Sequence, residues 1–183
     1  MRLSEPRVPP LDPARLDDEQ REIAIKASPG DAGLLNITKT LVRHPKLLKR
    51  WNVFAGHVLV KSSLPPRERE IAILRVGWLC RAEYEWAQHV VIGRQCGLDD
   101  AEIERIKAGP DAPGWTAHES AILRATDELH EDSFVRDETW AALAAVWSEE
   151  QLMDFVFAVG QYHLVSMALN TFGVQIDPGL EGF

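Results

Sequence analysis

The sequence predicts an all-α fold, and three observations carry that prediction. No stretch alternates apolar and polar residues at the two-residue period of a half-buried strand. Apolar runs follow helix-start signals, among them Thr116-x-x-Glu119 and Ser148-x-x-Gln151, the spacing of a reciprocal N-terminal cap. Breaks rich in proline and glycine separate these runs at helix-length intervals.

Each element has its own signal. Residues 1–13 hold four prolines and read as an extended arm. A helix is expected over 13–27, closed by the break "SPGDAG". Residues 34–43 and 45–60 form a helix pair, with Pro45 in a first turn where its missing N–H costs nothing. In "KSSLPPRERE", Ser63 or a neighbour caps and the two following prolines open a helix that runs to about Cys80. Its partner spans 82–95 and ends at Gly97, a favourable C-terminal glycine. Asp99 and Asp100 cap a short helix through Lys107, and "AGPDAPG" is a loop. Helices over 116–131 and 137–146 follow, and Ser148 starts a long terminal helix. The whole chain, 1–183, is expected to be one domain.

Two segments are apolar nearly all round, 71–80 and 152–172, and a helix of that kind must be buried on every side. Burying both is easier if subunits pack together, so a homo-oligomer is expected. The segment 152–174 is long enough to cross a bilayer, but Asp154, Gln161, His163 and Asn170 interrupt it, and a buried helix is the better reading. Trp51, Trp78, Trp86, Trp140 and Trp147 are expected to pack the core.

Composition narrows the function. Lys and Arg number 20 against 28 Asp and Glu, giving a net charge of −8 with no basic block, so nucleic acid and anionic membrane surfaces are not expected partners. The cysteines, Cys80 and Cys96, form no CxxC and are too few for a disulfide framework. Reduced thiols in a cytoplasmic protein are the expectation, and "MRLSEPRVPPLDP" lacks the apolar core of a signal peptide.

The chemistry concentrates in "REIAILRVGWLCRAEYEWAQH", residues 69–89. Glu85 and His89 are four apart and share a helix face, so the carboxylate can set the imidazole tautomer and raise its basicity. The competing reading is a first-turn glutamate that complements the helix dipole, with an ordinary histidine beyond it. Glu70 starts the preceding helix, and an antiparallel hairpin would set it opposite His89, with Gly77 allowing close approach. Glu70 could instead belong to the solvated cap, where Glu68 and Arg69 are expected at the surface.

The stretch "LPPREREIAILRVGWLCRAEYEWAQHVVIGRQCGLDDAEI" strongly resembles the carboxymuconolactone decarboxylase family, whose superfamily includes the alkyl hydroperoxidase D-like proteins. The resemblance is dense over 64–106 and extends over 55–174. The peroxidase branch has a glutamate, then a CxxC, then a histidine; laid on this chain these fall on Glu70, on Ala82 and Glu85, and on His89. Disulfide redox needs a thiolate and a resolving thiol, and neither position has sulfur. Cys80 lies two residues before the first position, about 200° away on a helix, and cannot simply substitute. "AEYEWAQH" looks instead like the decarboxylase branch.

That resemblance implies an alkyl hydroperoxidase D-like helical hairpin bundle, assembled as a trimer or hexamer and using no metal or organic cofactor. It implies loss of CO₂ from a carboxylated unsaturated lactone. His89, oriented by Glu85 or Glu70, is then the expected general acid/base. Tyr84 or Gln88 could donate a hydrogen bond to substrate. Arg75 is a candidate clamp for the substrate carboxylate, a structural salt bridge being the alternative. His163 is a pocket candidate, with a hydrogen-bonded core histidine as the alternative. A carboxylate-bridged di-metal bundle fails, since it needs Glu-x-x-His twice. A thiol peroxidase and a non-catalytic ligand-binding protein on the same fold remain as rivals.

Overall fold

A computed structural model describes residues 2–28 and 33–183. Most of the break "SPGDAG" lies outside the described residues. Among those described, every regular element is helical, as the sequence pattern requires.

Side-chain caps set the helix starts. Asp17 with Gln20, Asp99 with Glu102, Thr116 with Glu119 and Ser148 with Gln151 all form reciprocal capping boxes. They open α1 (Asp18–Ala27), α6 (Asp100–Ala108), α7 (Ala117–Asp132) and α9 (Glu149–Phe172). The helix expected over 13–27 is therefore split. Asp12 caps a short 3-10 turn at Pro13–Arg15, and Asp17 restarts the chain as α1. After α1, α2 (Asn36–Leu41) and α3 (Pro45–Gly56) form the expected pair, and α3 loosens into a π-helical turn at His57–Lys61.

The hairpin is α4 (Pro66–Leu79) and α5 (Glu83–Gln95), and α8 (Asp137–Ala144) completes the set. Ser63 does not cap α4. Its amide and hydroxyl both donate to Asp154 Oδ2, at 2.6 and 2.7 Å, and α4 begins on Pro65 without a side-chain cap. The hairpin turn passes through Arg81 at φ 49°, and the Ala82 amide donates back to the Gly77 carbonyl at 2.8 Å.

α4 is the central helix. Every residue from Arg69 to Gly77 is buried, and the helix packs against α5, α6, α7 and α9. The chain thus covers this helix by itself, without a partner subunit. Gly77 is not what lets α5 approach, because a Cβ there would meet the Trp86 backbone at an ordinary 3.6 Å. The tight crossing is at Gly93, where a Cβ would press on Leu98 and Leu74 at 3.1 and 3.3 Å.

α9 is buried on one side only. Phe155, Tyr162, Val165 and Leu169 face the core, while Met153, Phe157, Leu164 and Met167 are each more than half exposed. It is the one described helix long and apolar enough to cross a membrane, and half of that stretch is buried within the molecule. The N-terminal arm runs back over its end: the amides of Arg7 and Val8 donate to the Phe172 carbonyl at 2.9 and 3.1 Å. Gly173 caps α9 at φ 70°, with Glu5 and Pro6 backbone atoms 3.1 Å from where a Cβ would stand. Trp140, expected in the core, is 42% exposed.

Candidate active site

Antiparallel packing of α4 and α5 brings Glu70, Glu85 and His89 into one buried cluster. Glu70 sits in the first turns of α4, and its Oε2 lies 2.6 Å from His89 Nδ1. Glu85, one turn before His89 on α5, places Oε1 2.9 Å from Nε2. Both imidazole nitrogens thus face carboxylates. The three residues are 0%, 5% and 4% exposed for Glu70, Glu85 and His89, so little water screens them.

A fourth member was misplaced by sequence reasoning. Arg69, expected at the surface, is buried, and its Nε donates to Glu70 Oε1 at 3.1 Å. The chain is Arg69–Glu70–His89–Glu85, two cations and two carboxylates when the histidine is protonated. Glu68 also turns inward, accepting from the Trp147 indole at 2.7 Å.

Charge explains the proton inventory. Burial alone would push the His89 pKa down, but the Glu70 carboxylate and the bonds to Glu70 and Glu85 outweigh it and raise the value to about 10. A neutral imidazole has one N–H and could satisfy only one of its two carboxylate neighbours. The imidazolium satisfies both.

The cluster opens on a cavity of about 310 Å³ walled by α2, α3, α5 and α9. Glu85 and His89 line it, whereas Glu70 and Arg69 stand behind the histidine. Much of the wall is apolar, with Ile37, Leu59, Ile92 and Val165 among its residues. Tyr162 of α9 sets its ring edge-on to His89, centroids 4.8 Å apart. Burial first, then the charges of Glu85 and Glu70, hold its phenol well above the ordinary tyrosine range, so it stays a donor. Trp51 and Gln161 also line the cavity, and their indole N–H and amide oxygen are buried without a hydrogen-bond partner among the described residues. Trp51 packs against the core, as expected, and also forms part of the cavity wall. Nothing local in the sequence marks Trp51, Gln161 or Tyr162, because helices distant in the chain bring them to the wall.

The remaining expected site residues divide. Tyr84 and Gln88 line the cavity, but both donate to Asp177 Oδ2 of the C-terminal segment, at 2.6 and 2.9 Å. The phenol proton of Tyr84 is therefore spent on Asp177, while Gln88 keeps a second N–H. Arg75 is outside the cavity. Its guanidinium makes a bidentate pair with Asp127 at 2.6 and 2.9 Å and donates to the Ile106 and Lys107 carbonyls at 2.9 Å. Arg75 therefore makes a structural salt bridge, to an aspartate, and does not line the cavity. His163 is also outside, bonded to His130 and to the Val159 carbonyl.

Residues 45–128, which include the whole hairpin and its Glu/His cluster, match the Carboxymuconolactone decarboxylase family. A peroxidase-related protein from Ralstonia eutropha JMP134, described as an alkylhydroperoxidase AhpD core, superposes with a TM-score of 0.81 over 94% of this chain and 93% of its own, at 18% identity. Residues 45–128 thus carry the carboxymuconolactone decarboxylase family pattern, in a chain with the alkylhydroperoxidase AhpD-like fold. Another peroxidase-related protein, from Silicibacter sp. TM1040, has a TM-score of 0.81 at 13% identity, covering 96% of this chain and 95% of its own. A cysteine-to-alanine variant of the debrominase Bmp8, in complex with 2,3,4-tribromopyrrole, has a TM-score of 0.77 at 14% identity, covering 96% and 94%. No curated protein sequence matches. At such identities the superfamily's shared fold is what these structures show. This member carries Glu85 and His89 on the cavity wall, and its free thiols, Cys80 and Cys96, lie away from it.

Proposed function

We propose that the protein is a cofactor-free carboxy-lyase acting on a carboxylated unsaturated lactone or a related small organic acid. The observation that carries this reading is the Glu70–His89–Glu85 relay ending on a largely apolar cavity of about 310 Å³. Loss of CO₂ leaves an electron pair that passes through the alkene into the lactone carbonyl, and the resulting enolate takes a proton on carbon. The relay supplies that proton. With both His89 nitrogens engaged, the group in direct reach of substrate is Glu85, and His89 recharges it. Glu70 and Arg69 hold the imidazole in place and balance its charge.

Tyr162, Gln88 and the Trp51 indole are donors for the developing enolate oxygen. A polar ligand would also relieve the buried Trp51 and Gln161 atoms, each costing about 1–3 kcal/mol when unpaired. Lys26 at the cavity mouth takes the carboxylate-attracting role once expected of Arg75. Its surface pair with Glu22, at 2.6 Å, is exposed and exchangeable. The same reading makes the protein cytoplasmic and self-associating, with the uncovered side of α9 as the contact.

A peroxidase or antioxidant role lacks support, because Ala82 and Glu85 stand where that branch has its cysteines. Simple ligand binding is the remaining rival, and kinetics separates the two. A panel of unsaturated lactone acids and β-keto acids is assayed for CO₂ release with the wild type, Glu85→Gln and His89→Ala. Each substitution is expected to cost about a hundredfold or more, the scale of a lost general acid/base. Wild-type turnover that survives both substitutions would overturn the assignment, as would binding without turnover across the panel.

A further inference from the structure

On another face of α9, three potential metal ligands meet although they are far apart in the chain. Cys80 caps the C-terminal end of α4, His130 lies in the last turn of α7, and His163 is in the middle of α9. One ligand atom from each falls within 4.8 Å of the others. None of the three lines the cavity, and the carboxy-lyase chemistry does not use them.

The hydrogen bonds prepare the site. His163 Nδ1 is 2.9 Å from the Val159 carbonyl, which can only accept, so Nδ1 carries the proton and Nε2 presents its lone pair. That is the arrangement by which a backbone carbonyl fixes a metal-binding histidine. Nε2 faces His130 Nδ1 at 2.8 Å, and the rings stack with centroids 5.0 Å apart. The C-terminal ends of α4 and α7 both reach this place, and their negative dipole ends favour a cation. His130 is exposed and the other two are half-buried, so an ion can enter from solvent.

We propose that Cys80, His130 and His163 bind a thiophilic divalent cation, best matched by Zn²⁺, with one coordination position left to water. Tetrahedral Zn²⁺ with one sulfur and two nitrogen ligands holds its donor atoms roughly 3.3–3.6 Å apart. Small side-chain rotations bring the three donors to that spacing. On binding, the Cys80 thiol releases its proton to solvent, and the His130 proton moves from Nδ1 to Nε2, so Nδ1 can coordinate. The bound ion ties together the ends of α4 and α7 and the middle of α9.

Chelator-stripped full-length protein is titrated with Co²⁺ as a spectroscopic stand-in and then with Zn²⁺. The expected result is a thiolate-to-cobalt charge-transfer band that saturates at one equivalent and is displaced by Zn²⁺. Cys80→Ser abolishes the band, His130→Gln and His163→Ala weaken Zn²⁺ binding about tenfold or more, and Cys96→Ser changes nothing. Circular dichroism of the metal-free variants checks folding. If Cys80→Ser does not fold, the exposed His130→Gln carries the test. A wild type without the band, a band that survives Cys80→Ser in folded protein, or unchanged affinity in His130→Gln overturns the site.

Discussion

His89 has no unpaired ring nitrogen, and in the proposed reaction that single fact moves the proton to Glu85. It also couples stability to pH. The folded-state pKa is raised from 6.5 to about 10, so the cluster's contribution is complete below pH 6.5 and is lost as pH climbs toward 10. Thermal melting of the wild type is expected to fall across that window. A folded His89→Gln variant should lose that part of the slope, and a wild-type profile flat from pH 7 to 10 would contradict the geometry. Arg69 shows how a residue can be misjudged from its neighbours. It sits within a charged run, yet helical rotation carries it inward to Glu70.

At the scale of elements, α4 does two jobs. Its first turns hold Glu70, and its middle fastens α7 through Arg75 and Asp127. Breaking a buried pair from one side leaves a charge uncompensated, typically at a cost of 3–5 kcal/mol. Asp127 is partly exposed, so Asp127→Ala is expected near the lower end, about 3 kcal/mol in denaturant unfolding. Turnover per folded molecule should stay within about twofold. A much larger kinetic than thermodynamic effect would restore Arg75 to the reaction. The C-terminal segment has an analogous part, since Asp177 joins Tyr84, Gln88 and the Asn36 amide across the cavity wall.

Among the described residues, α9 leaves a continuous apolar row exposed. Met153, Phe157, Leu164 and Met167 recur at four- and three-residue steps along α9, with Gly160 completing the row. This is the seam by which helices pair side by side. A surface of this kind marks a contact, and the protein is expected to run as an oligomer in light-scattering chromatography. Phe157→Glu with Met167→Glu should shift it to monomer while preserving its helicity. A monomeric wild type would remove self-association from the proposal. Phe157 also meets Phe54 of α3 edge-on at 6.1 Å, so the proposed contact would border the helix that walls the cavity.

Local chemistry is what the sequence alone determined. Capping boxes, proline starts and glycine stops act within a few residues, so the helices were legible and their errors were confined to the ends. The Glu70, Glu85 and His89 cluster was legible for the same reason, because a single hairpin with a short turn carries all three. Only tertiary packing decided the rest: Arg69 inside, Arg75 locked to Asp127, Tyr84 claimed by Asp177, and Trp51, Gln161 and Tyr162 on the cavity wall. The Cys80, His130 and His163 group belongs there too. Such meetings depend on how distant helices rotate and cross, and that is set by the summed burial of the core rather than by any short run of residues.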